Sequence, residues 1–332
     1  MDKVRCNILI IGTLASGSSA LKDMLREYDN INVIPGEFDD YRAPGLIADL
    51  LSPDTSEFPD AVKEFLSRRS PLNRLIYKSE LWKVVSESLP GSFWRKGQSG
   101  KIKYLKTYLI RLNQIKLLEK LHKGLVSDIS FEKKIGLANK WIQSVGDFHA
   151  GETEFVLFDQ PLLPWSDASL WMKVFSPFKA ICVVRDPKDQ IAEIVRRGII
   201  YSPFRSPFLN YSQVNIMSVY GKSRRSMMHF HTDALKGRLE KVIGLIDSIP
   251  RDKFLLIDFE SLAVNYNSYK NLIDDFLEID ESHHKLKKKY YDPEVAVRNS
   301  IGMYKNYLND EDLEDLKEIE MLYKDKIKSR IN

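Results

Sequence analysis

A turn rich in glycine and serine carries the clearest chemical signal in this sequence. The residues from Gly12 to Ser19 follow the apolar run Asn7–Ile11 and precede a segment with apolar residues at helical spacing: Leu21, Met24, Leu25 and Tyr28. A strand that passes through such a turn into a helix directs backbone N–H groups and the positive helix dipole at one point, which suits phosphate. The spacing is nearly that of a Walker A loop, but Ser18 stands where that loop has its lysine. The turn therefore predicts a phosphate ligand other than ATP.

A second group of residues lies at the end of another apolar run. Arg185 follows Ala180–Val184, and Asp186 with Pro187 is typical of the start of a helix. Arg185 is then expected at the carboxyl edge of a sheet, where open α/β folds bind ligands, and its planar guanidinium suits a phosphate dianion. Taken alone, an arginine at a strand end is as often part of a structural ion pair. Beside the phosphate turn, it indicates a ligand with two separate phosphate groups.

A third segment runs from Arg298 to Lys305 and contains Gly302. Glycine lets the backbone approach a ligand closely, and the two cations supply positive charge. Without the other two segments, an ordinary loop with two solvated cations would be the preferred interpretation.

Five short apolar segments predict the strands that would position these groups: 7–11, 32–34, 155–158, 180–184 and 254–257. They alternate with helical segments, which predicts an α/β fold with a P-loop-like parallel sheet of about five strands flanked by helices. Helical insertions are expected at about 46–151 and 199–249, within a single domain that spans residues 1–332. The segment 310–330 begins acidic and ends basic, which predicts one terminal helix.

Composition is that of an ordinary globular protein. The chain has 332 residues and a formal charge of +4, which suits an anionic ligand but is too small to indicate nucleic acid. Cys6 and Cys182 fall in predicted strands and are expected to be free thiols in a reducing compartment. The N-terminal apolar run is short for a signal peptide, and no run approaches the roughly 18 apolar residues of a membrane span. We therefore expect a cytoplasmic protein.

The segment 95–123 is strongly basic, with Glu119 as its only acidic residue, and it predicts an amphipathic helix. Such a helix usually packs its apolar side on the core and leaves its charged side in solvent. It also suits an acidic acceptor or peripheral contact with a membrane. The histidine pairs, at 229 and 231 and at 283 and 284, lack further ligands at zinc spacing, so no metal is expected.

In this order and spacing, the three segments resemble the sulfotransferases that use 3′-phosphoadenosine 5′-phosphosulfate (PAPS). The turn is similar to their 5′-phosphosulfate loop, Arg185-Asp-Pro to the start of their 3′-phosphate motif, and Gly302–Lys305 to their late G-x-x-K element. Phe254–Leu262 resembles their last-strand segment, and Asp159–Pro161 is similar to bacterial members that modify glycans. The resemblance implies that these residues bind PAPS: Gly12, Ala15, Ser16, Gly17, Ser18, Ser19, Arg185, Arg298, Gly302 and Lys305.

The resemblance also implies the reaction. Sulfuryl transfer resembles phosphoryl transfer, with in-line displacement through a loose transition state. The acceptor is a hydroxyl, expected on a carbohydrate or glycolipid, and its proton needs a general base. Glu37 is the favoured base because it follows the second strand, while Asp39, Asp40 or a histidine are alternatives. Glu37 could instead cap a helix or pair with Arg42.

Two positions depart from the family pattern. Most members carry a lysine or arginine at the position of Ala15, so the sequence requires another cation (Arg42, Lys78 or Lys305) or implies weak or absent catalysis. Many members have a serine at the position of Glu193, which is expected here to point away or to pair with Arg196 or Arg197. A P-loop kinase or NTPase, and a nucleotide-binding homologue without activity, stay open as alternatives.

Overall fold

The computed structural model describes residues 5–34, 37–38, 41, 47–51, 121, 124–125, 127, 129–150, 153–162, 166–200 and 223–331. Several sequence predictions concern residues outside this set. They are most of the insertion at 46–151, the basic segment 95–123 apart from Leu121, and the side chains of Asp39, Asp40, Arg42 and Lys78.

The sheet has the predicted class. Its five parallel strands are β1 (Cys6–Gly12), β2 (Ile31–Val33), β3 (Phe155–Asp159), β4 (Phe178–Val184) and β5 (Phe254–Asp258), in the order β2-β3-β1-β4-β5. In register, Ile31 lies opposite Phe155 and Ala180 opposite Phe254. Every residue of β3 and β5 is buried. Helices that cover both faces of a parallel sheet explain why these strands are continuously apolar rather than alternating. The prediction of an α/β fold is confirmed.

The helices between and after the strands are α1 (Ser18–Leu25), α2 (Ile47–Leu51), α3 (Phe131–Ala150), α4 (Ala168–Val174), α5 (Pro187–Arg196), α6 (Arg224–Ser248), α7 (Phe259–Val264), α8 (Tyr266–Leu277), α9 (Pro293–Ser300) and α10 (Tyr304–Tyr307). The predicted single terminal helix is wrong. Its place is taken by α11 (Asp310–Asp315), α12 (Lys317–Leu322), a π-helical turn (Tyr323–Ile327) and a 3₁₀ turn (Lys328–Arg330). Leu316, where the break occurs, is fully buried.

Local sequence explains where α5 begins and which face of α1 is buried. The carboxylate of Asp186 accepts a hydrogen bond of 2.9 Å from the N–H of Lys188, and Pro187 is the first residue of α5, as predicted. Leu21, Met24 and Leu25 form the buried face of α1, while Tyr28 is buried beyond its end. No helix in the described part of the chain is both long and apolar enough to cross a membrane.

The chain divides by its contacts into two compact units. Unit 1 comprises residues 1–9, 29–162 and 166–178, and unit 2 comprises residues 10–28, 163–165 and 179–332. Unit 1 has an aromatic core in which Phe158 makes edge contacts with Phe38 and Phe175, with ring centroids 4.9 and 5.6 Å apart. Unit 2 holds the Gly/Ser turn, Arg185 and the segment 298–305. The prediction of a single domain stays a prediction.

Candidate functional site

The Gly/Ser turn joins the end of β1 to the start of α1 in a conformation that exposes backbone donors. Leu14 and Ala15 have φ angles of 72° and 53°, and Gly17 has a φ of 89°. Positive φ costs about 1–2 kcal/mol for a residue with a side chain, so the shape of this turn is imposed by its surroundings. Within the described residues, the N–H groups of Ala15, Ser16 and Gly17 have no protein acceptor. Three consecutive donors beside the N-terminus of a helix form an anion-binding surface.

Side chains of unit 2 hold the turn by its carbonyl groups. The amide nitrogen of Gln190 donates to the carbonyl of Thr13 at 2.8 Å, to the Thr13 hydroxyl at 3.0 Å and to the carbonyl of Leu14. Arg238 Nη1 donates to the same Thr13 carbonyl at 3.3 Å, and Arg185 Nη1 donates to the carbonyl of Ala15 at 3.2 Å. The protein therefore holds this turn by its carbonyl groups, while the N–H groups of residues 15–17 have no acceptor among the described residues.

Gly17 is required by both conformation and space. A Cβ atom at this position would lie 2.3 Å from Cδ2 of Phe259, which is far inside van der Waals contact. The Phe259 ring is buried, and the guanidinium of Arg185 lies 5.0 Å from its centroid. Phe259 therefore packs against the phosphate turn and against Arg185 at once.

Arg185 connects the turn to the third predicted segment. The residue is only 3% exposed. Besides the bond from Nη1 to Ala15, its Nη2 donates to the carbonyl of Ser300 and lies 3.3 Å from Sδ of Met303. Its Nε atom has no hydrogen-bond acceptor among the described residues; Oε1 of Glu260 lies 3.9 Å away. The structure thus brings the three predicted segments together, with the guanidinium bound to backbone carbonyls of two of them. The role of Arg185 in binding a 3′-phosphate stays a prediction.

Asp189, which the sequence interpretation missed, contacts the third predicted segment. The residue is 2% exposed, and its carboxylate accepts hydrogen bonds from the N–H of Gly302 at 2.7 Å and from the N–H of Tyr304 at 3.0 Å. Gly302 has a φ of 70°, which glycine adopts readily. Asp189 therefore fixes the backbone of the late segment. Asp189 and Gln190 lie about one helical turn after Arg185 in the sequence. This spacing was the signal from which both could have been predicted to lie near Arg185.

The cations and hydroxyls predicted for the site differ in exposure. Arg298 and Lys305 are exposed, and neither forms an ion pair with a described residue. Ser18 is buried and Ser19 is exposed at the first turn of α1. Their assignment to a ligand remains a prediction.

Glu193 behaves as predicted. The residue is 4% exposed, and its carboxylate accepts hydrogen bonds from Arg196 at 2.9 and 2.6 Å and also from Arg197. Burial alone would raise the pKa of Glu193, but the two guanidinium groups hold it below its ordinary value. The negative charge of Glu193 is therefore balanced by Arg196, at the end of α5, and by Arg197, the next residue.

Glu37 belongs to unit 1, where it is exposed. The next residue, Phe38, donates its N–H to the carbonyl of Asp159 at 2.7 Å, so the chain at Glu37 runs beside the carboxyl end of β3. This is the kind of position expected of a ligand-facing residue in an open α/β fold. The base role of Glu37 stays a prediction.

The described histidines have structural partners. Buried His231 donates from Nε2 to the carbonyl of Ile200 at 2.8 Å, and buried His284 bonds Glu27 at 2.8 Å. His229 lies 3.6 Å from Asp315. Within the described ranges, no three His, Cys, Asp or Glu side chains cluster as a metal site requires. Both cysteines are free thiols, as predicted; Cys182 is buried and Cys6 half-buried.

Three solved structures that resemble this chain are of sulfotransferases. The sulfotransferase domain of a Synechococcus olefin synthase is 17% identical, covers 88% of this chain and 81% of its own length, and has a TM-score of 0.41. The sulfotransferase domain of the curacin biosynthetic pathway is 13% identical over 96% and 98%, with a TM-score of 0.45. A Mycobacterium avium sulfotransferase is 10% identical over 99% and 78%, with a TM-score of 0.46. The sequence matches no protein-family model and no curated protein. A function has to be inferred from the side chains of the site.

The contacts of Asp189 generate a first prediction. Asp189→Asn leaves one acceptor oxygen for two N–H groups and turns an amide donor toward one of them, which should cost about 1–3 kcal/mol. The late segment should then open more often, and trypsin should cleave after the exposed Lys305 faster than in the wild type. Asp275→Asn, an exposed change of the same chemistry on α8, serves as the control. Equal cleavage rates in the two variants would contradict the anchoring role.

The environment of Glu260 generates a second prediction. Burial raises the pKa of Glu260 to about 8 from an ordinary value of 4.5, and Oε1 of Glu260 accepts the N–H of Asp186 at 3.2 Å. The folded protein therefore keeps a proton that the unfolded chain releases, so this group lowers the free energy of unfolding as the pH rises from about 5 to about 8.

Glu260→Gln cannot ionise. Its free energy of unfolding relative to the wild type should therefore increase from about pH 5 to about pH 8, as measured by urea unfolding. Glu240→Gln, on the exposed face of α6, is the matched control and should show no such trend. If the free energy of unfolding changes with pH in the same way for wild type and Glu260→Gln, the pKa of Glu260 is not raised.

Proposed function

We propose that this chain is a sulfotransferase that transfers a sulfuryl group from PAPS to a hydroxyl of a carbohydrate or glycolipid. The observation that carries the proposal is the buried guanidinium of Arg185, which bonds the carbonyl of Ala15 in the turn and that of Ser300 in the late segment. Those bonds unite an anion-binding turn with a second cationic segment. A ligand that carries two separate phosphate groups fits such an arrangement.

Each end of the donor has candidate partners in unit 2. The N–H groups of residues 15–17, with the hydroxyls of Ser18 and Ser19, would bind the 5′-phosphosulfate. Arg185 and Arg298 would bind the 3′-phosphate, because charge-assisted hydrogen bonds from guanidinium groups suit phosphate oxygens. Gly302 and Lys305 would complete the pocket.

The chemistry asks little of the protein beyond positioning and charge stabilisation. The acceptor oxygen forms a bond to sulfur while the bond from sulfur to the donor phosphate breaks, which yields 3′-phosphoadenosine 5′-phosphate (PAP). Glu37 would take the proton of the acceptor hydroxyl, and no step uses a metal. We place the protein in the cytoplasm, where free Cys6 and Cys182 would stay reduced. We also propose that the basic segment 95–123 makes peripheral contact with a membrane.

Nucleotide specificity gives the first test. PAP at 100 times its dissociation constant should add about 2.7 kcal/mol to the free energy of unfolding. For a chain of this size that is a rise in Tm of roughly 5–10 °C. ATP with Mg²⁺, and 5′-AMP, are run in parallel and should give little change. A rise with ATP and Mg²⁺ alone would reject the proposal in favour of a P-loop kinase or NTPase.

The base role of Glu37 gives the second test. Glu37→Gln should lower the rate of sulfate transfer from radiolabelled PAPS to a panel of sugars and glycolipids by about 100-fold or more, with PAP affinity unchanged. Glu132→Gln, an exposed change in α3 of the same unit, controls for a general loss of negative charge. Full activity of Glu37→Gln would assign the base to another residue. PAP binding without transfer to any acceptor in the wild type would indicate a homologue that has lost catalysis.

A further inference from the structure

One carboxyl group lies close enough to Arg185 to compete with a ligand for it. Among the described residues, Glu260 is the only carboxylate at ion-pair distance from Arg185, with Oε1 3.9 Å from Nε. That distance is too long for a hydrogen bond, and Nε has no other acceptor in the described part of the chain. The other two nitrogens of Arg185 donate to the carbonyls of Ala15 and Ser300. Nε is therefore the donor through which Glu260 can act on Arg185.

The fold fixes the place of Glu260 independently of Arg185. Glu260 lies in the first turn of α7, and its side chain is 18% exposed. Its Oε1 accepts the N–H of Asp186 at 3.2 Å, and Asp186 follows Arg185 in the chain. Phe259, the residue before Glu260, packs its ring against the Arg185 guanidinium. A hydrogen bond and the packing of its neighbour therefore keep the carboxyl group beside Arg185.

The surroundings of Glu260 favour its neutral form. Burial, and after it the negative charge of Asp258 at the end of β5, raise the pKa of Glu260 to about 8, although the N–H of Asp186 and the charge of Arg185 oppose the shift. Tyr323, on the π-helical turn, faces the same carboxylates, and its buried hydroxyl has no hydrogen-bond partner among the described residues. The carboxyl group of Glu260 therefore changes from neutral to charged in mildly alkaline solution, which an exposed glutamate does near pH 4.

The other charged groups that face Arg185 have partners of their own. They are Asp189, Glu193 and Arg197. Asp189 accepts two backbone N–H groups of the late segment, and Glu193 pairs with Arg197. Within the described residues, Glu260 has Arg185 as its only cation at ion-pair distance. A change in the charge of Glu260 therefore acts first on Arg185.

We propose that Glu260 is a positioning residue that competes with the 3′-phosphate of the donor for the guanidinium of Arg185. As a carboxylate, Glu260 attracts Nε of Arg185 and repels the phosphate, whereas as a neutral carboxyl group it leaves Arg185 to the ligand. This inference rests on the proposed sulfotransferase function and names a regulation of its donor site by pH. Because proton and phosphate binding then favour each other, the protein must take up protons when the nucleotide binds.

Proton uptake separates this role from a structural one. At about pH 8, where the phosphates of PAP are fully ionised, calorimetric titration in Tris and in HEPES counts the protons taken up with the nucleotide. The wild type should take up roughly half a proton per PAP, because the pKa of Glu260 lies at about 8 in the free protein. Glu260→Gln keeps an acceptor for the N–H of Asp186 but cannot ionise, so it should lack this uptake. Glu240→Gln, on the exposed face of α6, should behave as the wild type does.

The affinity for PAP should show the same competition. Between about pH 7 and about pH 9, Glu260 becomes charged in the free protein, and the PAP affinity of the wild type should fall about 3- to 10-fold. The affinity of Glu260→Gln should stay nearly constant over the same range, whereas that of Glu240→Gln should fall as in the wild type.

The other outcomes overturn the inference or the function separately. Equal proton uptake by the wild type and Glu260→Gln would overturn the role of Glu260 and leave the proposed function standing. If Glu260→Gln does not fold, the wild type decides, because PAP binding without proton uptake contradicts the competition. If the wild type binds sulfate but not PAP, the sulfotransferase proposal fails; proton uptake with sulfate keeps the role of Glu260, and its absence rejects that role too. If neither anion binds, both are rejected.

Discussion

A guanidinium that is removed from water must keep hydrogen-bond partners, because an unpaired buried charge costs several kcal/mol. Arg185 meets this requirement mainly with backbone carbonyls, at Ala15 and Ser300, which lie 170 and 115 residues away in the sequence. Carbonyl groups satisfy its donors without cancelling its charge. Because Arg185 cannot be solvated where it lies, the phosphate turn and the end of α9 have to stay in place around it. The ring of Phe259, packed between Arg185 and Gly17, fills the remaining space.

Three carboxylates lie near this junction and differ in their partners. Asp189 is committed to two backbone N–H groups, and Glu193 is held by Arg196 and Arg197. Glu260 lies 3.9 Å from Arg185, but burial raises the pKa of Glu260 to about 8, so near neutral pH it carries much less than a full negative charge. Burial lowers the pKa of Arg185, and the charges of Glu260, Asp189 and Glu193 oppose that shift. The electrostatics of the junction are therefore set by these local groups rather than by the formal charge of +4 on the whole chain.

The parts of the structure that follow from local rules could be predicted from sequence. Apolar runs located all five strands, and the Asp186-Pro187 pair located the start of α5, since caps depend on neighbouring residues only. The pairing of Glu193 also followed from helical spacing of three and four residues. The contacts of Asp189 and Arg238 could not be predicted, because they join residues more than 100 positions apart through the packing of whole helices. The single terminal helix was predicted wrongly, because the order of charges along 310–330 does not reveal the break at Leu316.

The phosphate turn likewise combines local sequence with contacts from residues that are distant in the chain. A lysine on the turn would place charge and backbone donors on one short segment, whereas residues 12–19 contain no lysine or arginine. Two guanidinium groups from α6 and from the end of β4 instead donate to the carbonyls of the turn. Leu14 and Ala15 adopt positive φ angles at a cost that glycine would avoid. That cost is offset by the hydrogen bonds that Gln190 and Arg238 make to the turn carbonyls. The conformation that presents the N–H groups therefore depends on the packing of two helices, α5 with Gln190 and α6 with Arg238, against the turn.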